Sequence, residues 1–399
     1  MTLSTVNLTI DDGTIHLPAD NRQSRPAGAI SYAVSVDRGH QFPRRRNFCL
    51  FLGSRNLQFR LSTDSRTVEL REFSLKLKSF IDQTIRLFLR LNPIHNMPSH
   101  PNAGDVKLTF LTTGTVRIRP SMRSQPASKF GLVRRIRSLL DREWTEPLPV
   151  GVFLIHHPEG LFLMDTGQSP CCNDAGYFPK LAIFNGFLSQ FTIEHHDGIL
   201  EQLHKLGIKA TDLKGVILTH LHNDHAGGLE DLVAEAPSLP IYVSREHWKA
   251  FGEHPTFASM EGATPNHWPQ DFSPMVFDLQ DKPLGPWKQS YPVTEDGKIQ
   301  IVDTSGHVPG HISVVVYGND GPGETEVTYF LPGDATYGLD LLDKEQPDGI
   351  NDDPMRALET LKTIKEFAKG TDVVILPSHD VNTPRLLAEK VVYRPHDEL

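Results

Sequence analysis

Cysteine is scarce in this sequence: 399 residues contain three, Cys49, Cys171 and Cys172. Two of them are adjacent and no CxxC pair occurs, which is a poor basis for a disulfide framework and excludes a thiolate-rich metal site. Any metal must then be held by imidazole and carboxylate. Long apolar runs are missing as well. No stretch approaches the roughly 18 uninterrupted apolar residues that cross a bilayer, and the first residues lack the basic start and apolar run of a signal peptide. The expectation is a soluble, cytoplasmic protein without a membrane span.

An excess of positive charge is also lacking where it would matter. Residues 1–104 carry 14 Lys and Arg against 8 Asp and Glu, a balance of +6; with a net charge of −9 overall, the remainder carries −15. So acidic a main region argues against a nucleic-acid backbone as substrate. The 38% hydrophobic and 22% charged composition is that of an ordinary globular protein with a sizeable core.

Texture divides the chain. Residues 1–104 read as loops with short strands around an Arg-rich middle, with one helix expected over Glu72–Leu91 and a Pro/Asn/Gly linker over 92–104. From Asp105 onward, β-branched and aromatic residues alternate as in a strand meander, with a turn at His157–Gly160. The segment 131–144 reads as an amphipathic helix or lid. After Met164, helices and strands take turns: a helix closed by Gly207, a short buried strand from Leu213, strands entering Gly306-His307 and Gly333-Asp334, then a long helix and a last strand ending at Pro377-Ser378-His379-Asp380. Each candidate ligand group follows a strand, at the sheet edge where α/β folds place their chemistry.

The chemistry concentrates in Thr219–Gly228, THLHNDHAGG, with His220, His222, Asp224 and His225 packed into six positions. Two imidazoles two residues apart can face one cation, and an Asp-His pair can address a second about 3.5–4 Å away. Buried His and Asp at this density are costly without a metal. His307, Asp334 and His379 are weaker taken singly and gain weight from their order and strand context. His156, His157, His195, His196 and His311 read as non-ligands, with His311 a possible supporting partner.

In HxHxDH, GHxPGH, GDA and the late PSHD, the sequence resembles the metallo-β-lactamase superfamily, and Met164-Asp165-Thr166-Gly167 is similar to that family's first motif, whose Asp is structural. The resemblance covers residues 105–399, the expected catalytic domain, and leaves 1–104 as an irregular N-terminal extension. It implies an α/β fold, the αββα four-layer sandwich, with two Zn²⁺: one held by His220, His222 and His307, the other by Asp224, His225 and His379, and Asp334 between them. Other divalent metals suit the same N/O donors.

Within the superfamily, the branch that ligates metal through Cys does not fit, the acidic main region disfavours the nucleases, and the helical C-terminal region of glyoxalase II has no counterpart after His379. The segment Gly333–Tyr337 is similar to the one in the quorum-quenching N-acyl homoserine lactonases. That likeness implies that Tyr337 polarises the substrate carbonyl or protonates the leaving alkoxide, beside Asp224 at the metals. The expected function is hydrolysis of a small-molecule lactone by metal-bound hydroxide. Hydrolysis of a cyclic amide, carbamate or thioester by the same centre, or metal binding without turnover, stay open. Candidate pocket walls are the segment 131–144 and the apolar run Phe178–Phe191.

Overall fold

The computed structural model describes residues 106–395 except 129, 179, 181–184 and 320–325, together with six short strands between residues 4 and 57. The helix expected over Glu72–Leu91 and the linker expected over 92–104 lie outside the described residues. The chain divides into two units, Met1–Pro93 and Ile94–Leu399. In the first unit, Ser4–Asp11 pairs antiparallel with Thr14–His16 and parallel with Tyr32–Asp37, which in turn pairs with Phe48–Leu50.

The second unit holds two sheets. In the larger, β1 (Lys107–Ile118), β2 (Leu148–His157) and β3 (Gly160–Met164) form an antiparallel meander. β4 (Ser189–Thr192) pairs with the outer edge of β1, while β5 (Leu213–Ile217), β6 (Ile241–Ser244) and β7 (Met275–Phe277) continue from β3 in parallel. The strand order is β4-β1-β2-β3-β5-β6-β7. The smaller sheet runs in chain order through β8 (Tyr291–Pro292), β9 (Ile299–Asp303), β10 (Ile312–Gly318), β11 (Val327–Leu331) and β12 (Val373–Ile375). Its pairs are antiparallel except the last, which is parallel.

Why the sheets stack is written in their side chains. Central strands are buried on both faces and therefore read as near-continuous apolar runs rather than clean alternations. In β2, Phe153 and Ile155 point toward the second sheet, where they meet Ile301, Val314, Val316 and Leu331. Their neighbours Val152 and Leu154 point the other way, onto helices α2 (Ile199–Lys205) and α4 (Leu229–Glu235) through Ile199, Leu203, Leu229 and Leu232. The second sheet repeats the division. Val302, Val315 and Phe330 pack on Leu361, Ile364 and Phe367 of the long helix α5 (Pro354–Gly370). Helix, sheet, sheet and helix thus make the four layers expected of the αββα sandwich. Burying one such side chain contributes about 1.5–3 kcal/mol, so the three apolar layers dominate stability.

Helix α1 (Gly131–Leu140) stands outside these layers. It stops four residues short of the expected 144. Asp141 turns to extended backbone, and its carboxylate accepts from the amide and hydroxyl of Ser121 at 2.9 and 2.6 Å. Among the described residues, no helix is long and apolar enough to cross a membrane.

Candidate active site

Four strand ends deliver the cluster. β5 runs into Thr219-His220-Leu221-His222 and the short helix α3 (Asn223–Ala226), so His220, His222, Asp224 and His225 surround one tight turn. β3 ends beneath it at Asp165, whose φ of +64° is an uncommon state for a residue with a side chain. The carboxylate of Asp165 accepts from the Thr219 amide at 2.8 Å and from Nδ1 of His225 at 2.8 Å. The Thr166 amide and hydroxyl both donate to the His225 carbonyl, at 2.7 and 3.0 Å. The strained strand end is thereby a staple under the histidine loop.

The other three ligand-bearing loops follow β9, β11 and β12. Two of them depend on glycine. Gly306, before His307, has φ +137°, and a Cβ there would lie 2.4 Å from backbone atoms of Ala357 in α5. Gly333, before Asp334, has φ +55°, with a Cβ 2.9 Å from Thr219. Both glycines let a loop pass close under a neighbour so that the next side chain reaches the centre.

Seven side chains converge there. Donor atoms of His220, His222 and His307 lie within 4.8 Å of one another, as do those of Asp224, His225 and His379, and those of His220, His225 and Asp334. The hydrogen bonds around the cluster fix which nitrogens face inward. His379 donates through Nδ1 to the Pro149 carbonyl at 2.8 Å, His225 through Nδ1 to Asp165, and His307 through Nδ1 to Asp348 at 3.0 Å. A neutral imidazole with its proton on Nδ1 carries a lone pair on Nε2. Yet Nε2 of His379 and of His225 are 3.3 Å apart, both 3.1–3.2 Å from Oδ1 of Asp334, and Nε2 of His307 is 3.1 Å from Nδ1 of His222. Lone pairs aimed at one another at such distances repel unless cations lie among them.

Three buried atoms make the same point: Nε2 of His220, Nε2 of His222 and Oδ1 of Asp334 have no hydrogen-bond partner. Such orphans are costly, and a coordinated cation is one of the few ways to satisfy them. The electrostatics divide the imidazoles into two sets. Burial, reinforced by neighbouring imidazoles, holds His220 and His222 well below the usual histidine range, so both offer neutral nitrogen. Burial disfavours charge on Asp334 too, but His225 and His379 outweigh it and hold its carboxyl well below the ordinary range. Burial opposes charge on His225, His379 and His307 as well, but Asp334 beside the first two and Asp348 beside the third outweigh it and raise them above the usual histidine range. A cation entering the cluster would displace those protons, and imidazole with carboxylate is the donor set that zinc and its neighbours in the first transition row accept.

Tyr337 closes one side of the cluster. Its hydroxyl donates to Oδ2 of Asp334 at 2.8 Å, and its ring stacks on His379 with centroids 5.1 Å apart. Burial and the nearby Asp334 carboxylate push its phenol well above 10, so it keeps its proton. A cavity of about 570 Å³ opens onto Tyr337, Asp334, Asp224, His222 and His307. Its outer walls carry Leu132, Ile136 and Leu139 of α1, with Leu188 and Phe191 opposite, so both segments expected as pocket walls line it.

Several supporting residues escaped sequence reasoning. Asp348 orients His307, and the Pro149 carbonyl orients His379. His311, by contrast, is the supporting partner that the sequence offered: it takes the Asp334 amide on Nε2 at 3.2 Å, holding the loop rather than joining the donor set. His247 is fully buried, accepting from the Leu221 amide on Nε2 at 2.8 Å and donating from Nδ1 to the Pro309 carbonyl at 2.8 Å. Burial depresses it to about 4. Because the folded value lies below the unfolded one, near 6.5, its neutral form stabilises the fold above that value, and the contribution is lost as pH falls from about 6.5 toward 4. Replacing it as His247→Gln should remove about one proton's worth of acid sensitivity in denaturant titrations between pH 7.5 and 5. An unchanged pH slope would show that His247 does not carry that loss.

The sequence profile described as "Metallo-beta-lactamase superfamily" matches residues 145–379. A curated N-acyl homoserine lactonase from Bacillus sp is 28% identical over 241 residues, 60% of this chain and 84% of that protein. The N-acyl homoserine lactonase AttM of Rhizobium radiobacter is 24% identical over 286 residues, 69% of this chain and 94% of its own. Among solved structures, an N-acyl homoserine lactone hydrolase with N-hexanoyl-L-homoserine at its catalytic metal centre shares the fold. Its TM-score is 0.52 at 24% identity, covering 70% of this chain and 95% of that one.

Proposed function

The chain belongs to the metallo-β-lactamase superfamily and is a metal-dependent hydrolase; from that premise we propose that it opens a lactone, an N-acyl homoserine lactone or a close chemical relative, at a centre of two zinc ions. His220, His222 and His307 would hold one ion and Asp224, His225 and His379 the other, with Asp334 facing both. Two bound zinc ions would supply an activated water near neutral pH and a Lewis acid for the carbonyl.

The protein's own groups do the rest. The observation that carries the reading is the placement of the Tyr337 phenol at the cavity floor, where its hydroxyl donates to Asp334. A ring ester bound with its acyl arm along Leu132, Ile136, Leu188 and Phe191 would present its carbonyl at that floor. Water adds to the carbonyl carbon, and Asp224, the half-buried carboxylate at the pocket face, is positioned to take its proton. The Tyr337 hydroxyl hydrogen-bonds first to the developing oxyanion and then passes its proton to the ring oxygen as the C–O bond breaks, and the proton taken from water by Asp224 restores the phenol. The product is an open hydroxy acid. No serine or cysteine nucleophile takes part.

A panel of N-acyl lactones, lactams and thioesters, followed by proton release with the zinc-loaded protein, tests this. Lactones should turn over faster than lactams of the same acyl chain, since the alkoxide is the better leaving group. Faster lactam or thioester hydrolysis would replace the lactone reading.

A further inference from the structure

Helix α1 forms one wall of the substrate cavity, and its two successive arginines reach the loops that support His307 and His222, Arg135 within the cavity lining and Arg134 buried outside it. Arg134 is the deeper, only 2% exposed. Its Nη2 donates to the carbonyls of Gln125 and Asp348 at 3.1 and 2.6 Å, and its Nη1 donates to Oδ1 of Asn351. The amide of Asn351 donates in turn to Oδ2 of Asp348, the same oxygen that accepts from Nδ1 of His307. Arg135 makes a bidentate pair with Glu261, both contacts at 2.9 Å. The neighbouring Gly262 carbonyl accepts from the amide of Asn223 at 3.1 Å and from its side chain at 2.6 Å, one residue after His222.

We propose that Arg134 and Asn351 are positioning residues that couple the pocket-wall helix to the metal centre through Asp348 and His307. This rests on the reading of His307 as a metal ligand. Three features make it a relay and not an incidental staple. Every link is buried, so water does not compete for the bonds. Asp348 has its other oxygen taken by the Ile350 amide at 2.9 Å, which fixes the direction in which Oδ2 points. The Asn351 amide is oriented at both ends, because Oδ1 can only accept from Arg134 and Nδ2 can only donate to Asp348. Bond by bond, the position of α1 sets the rotamer of Asn351, the bearing of Asp348 and the ring plane of His307.

Coupling of this kind is reciprocal. If a docked α1 strengthens metal binding, bound metal must hold α1 in place to the same degree. The substrate wall of Leu132, Ile136 and Leu139 would then be fully assembled only when the centre is loaded. Residues that orient metal ligands from behind commonly change affinity by about 10–100-fold when removed.

The test uses the full chain stripped with a chelator and reloaded with zinc, with two readouts: zinc affinity by competition against a chromophoric chelator, and amide hydrogen exchange of residues 131–140 with and without zinc. The wild type should show slower exchange in α1 when zinc is bound. Asn351→Ala leaves the Arg134 bonds to backbone carbonyls intact, so α1 still docks and the fold persists. It should weaken zinc binding about 10–100-fold and reduce the zinc-dependent protection of α1, the bond from Arg134 to the Asp348 carbonyl remaining. Arg134→Met should do the same, with an additional loss of α1 protection in the zinc-free state. Zinc affinity within twofold of wild type in Asn351→Ala, or α1 exchange in the wild type that ignores zinc, would overturn the coupling. A His307→Ala variant separates the two claims: if it binds zinc as tightly as the wild type, the ligand assignment is what fails.

Discussion

Replacing Asp334 with alanine should empty the centre and abolish hydrolysis together. Its two oxygens lie 3.1, 3.2 and 3.6 Å from Nε2 of His225, His379 and His307, and 2.8 Å from the Tyr337 hydroxyl, so it is in reach of three of the proposed ligands and of the phenol at once. Removing it takes away the carboxylate that Nε2 of His225, His379 and His307 surround, and the proposed ions would lose that charge. Metal content after dialysis should fall from the two equivalents proposed above toward none. The rate should drop on the order of 10³-fold or more, because a metal centre contributes several kcal/mol to the transition state. Far-ultraviolet circular dichroism should stay native, since the apolar layers between and outside the sheets do not involve Asp334. Elemental analysis beside a lactone assay decides it, and a variant with full metal and full activity would remove Asp334 from the site.

The second large effect separates binding from chemistry. Tyr337→Phe keeps the ring that stacks on His379 and removes only the hydroxyl. Metal content should be unchanged, while kcat on lactones falls about 10²-fold, the usual cost of removing one donor aimed at a developing oxyanion. KM should move little, because the donor acts most strongly once negative charge has formed. On a lactam the loss should be larger still, as nitrogen leaves less readily and leans harder on a proton. Wild-type kcat in this variant would take Tyr337 out of the chemistry and leave it a packing residue.

Much of this was readable from the residues, for reasons that differ by element. Strands β1, β2, β3, β5, β9, β11 and β12 are legible as runs of β-branched and apolar residues, whereas β4, β6, β7, β8 and β10 drew no reading from the sequence. The HxHxDH turn was legible because four costly polar residues in six positions have few bland explanations. His307, Asp334 and His379 were weaker, since one imidazole or carboxylate after a strand is an ordinary loop residue until three-dimensional convergence gives it company. Asp348, Asn351 and Arg134 were not legible at all. They are separated from His307 by dozens of residues or more, and their significance is a chain of directed hydrogen bonds that no local pattern encodes. The 131–144 helix was placed correctly in kind and overextended in length, because Asp141 caps Ser121 instead of continuing the turn. His247 shows the opposite case: an unremarkable histidine in sequence that the fold buries between two backbone partners.

The most direct measurement is a titration of zinc into the chelator-stripped protein while ring opening of an N-acyl homoserine lactone is followed by proton release. The stripped protein should be inactive, activity should rise with added zinc, and it should reach its plateau at two equivalents per chain. Lactone hydrolysis by the metal-free protein at the loaded rate, or a plateau at zero activity with two zinc ions bound, would contradict the account.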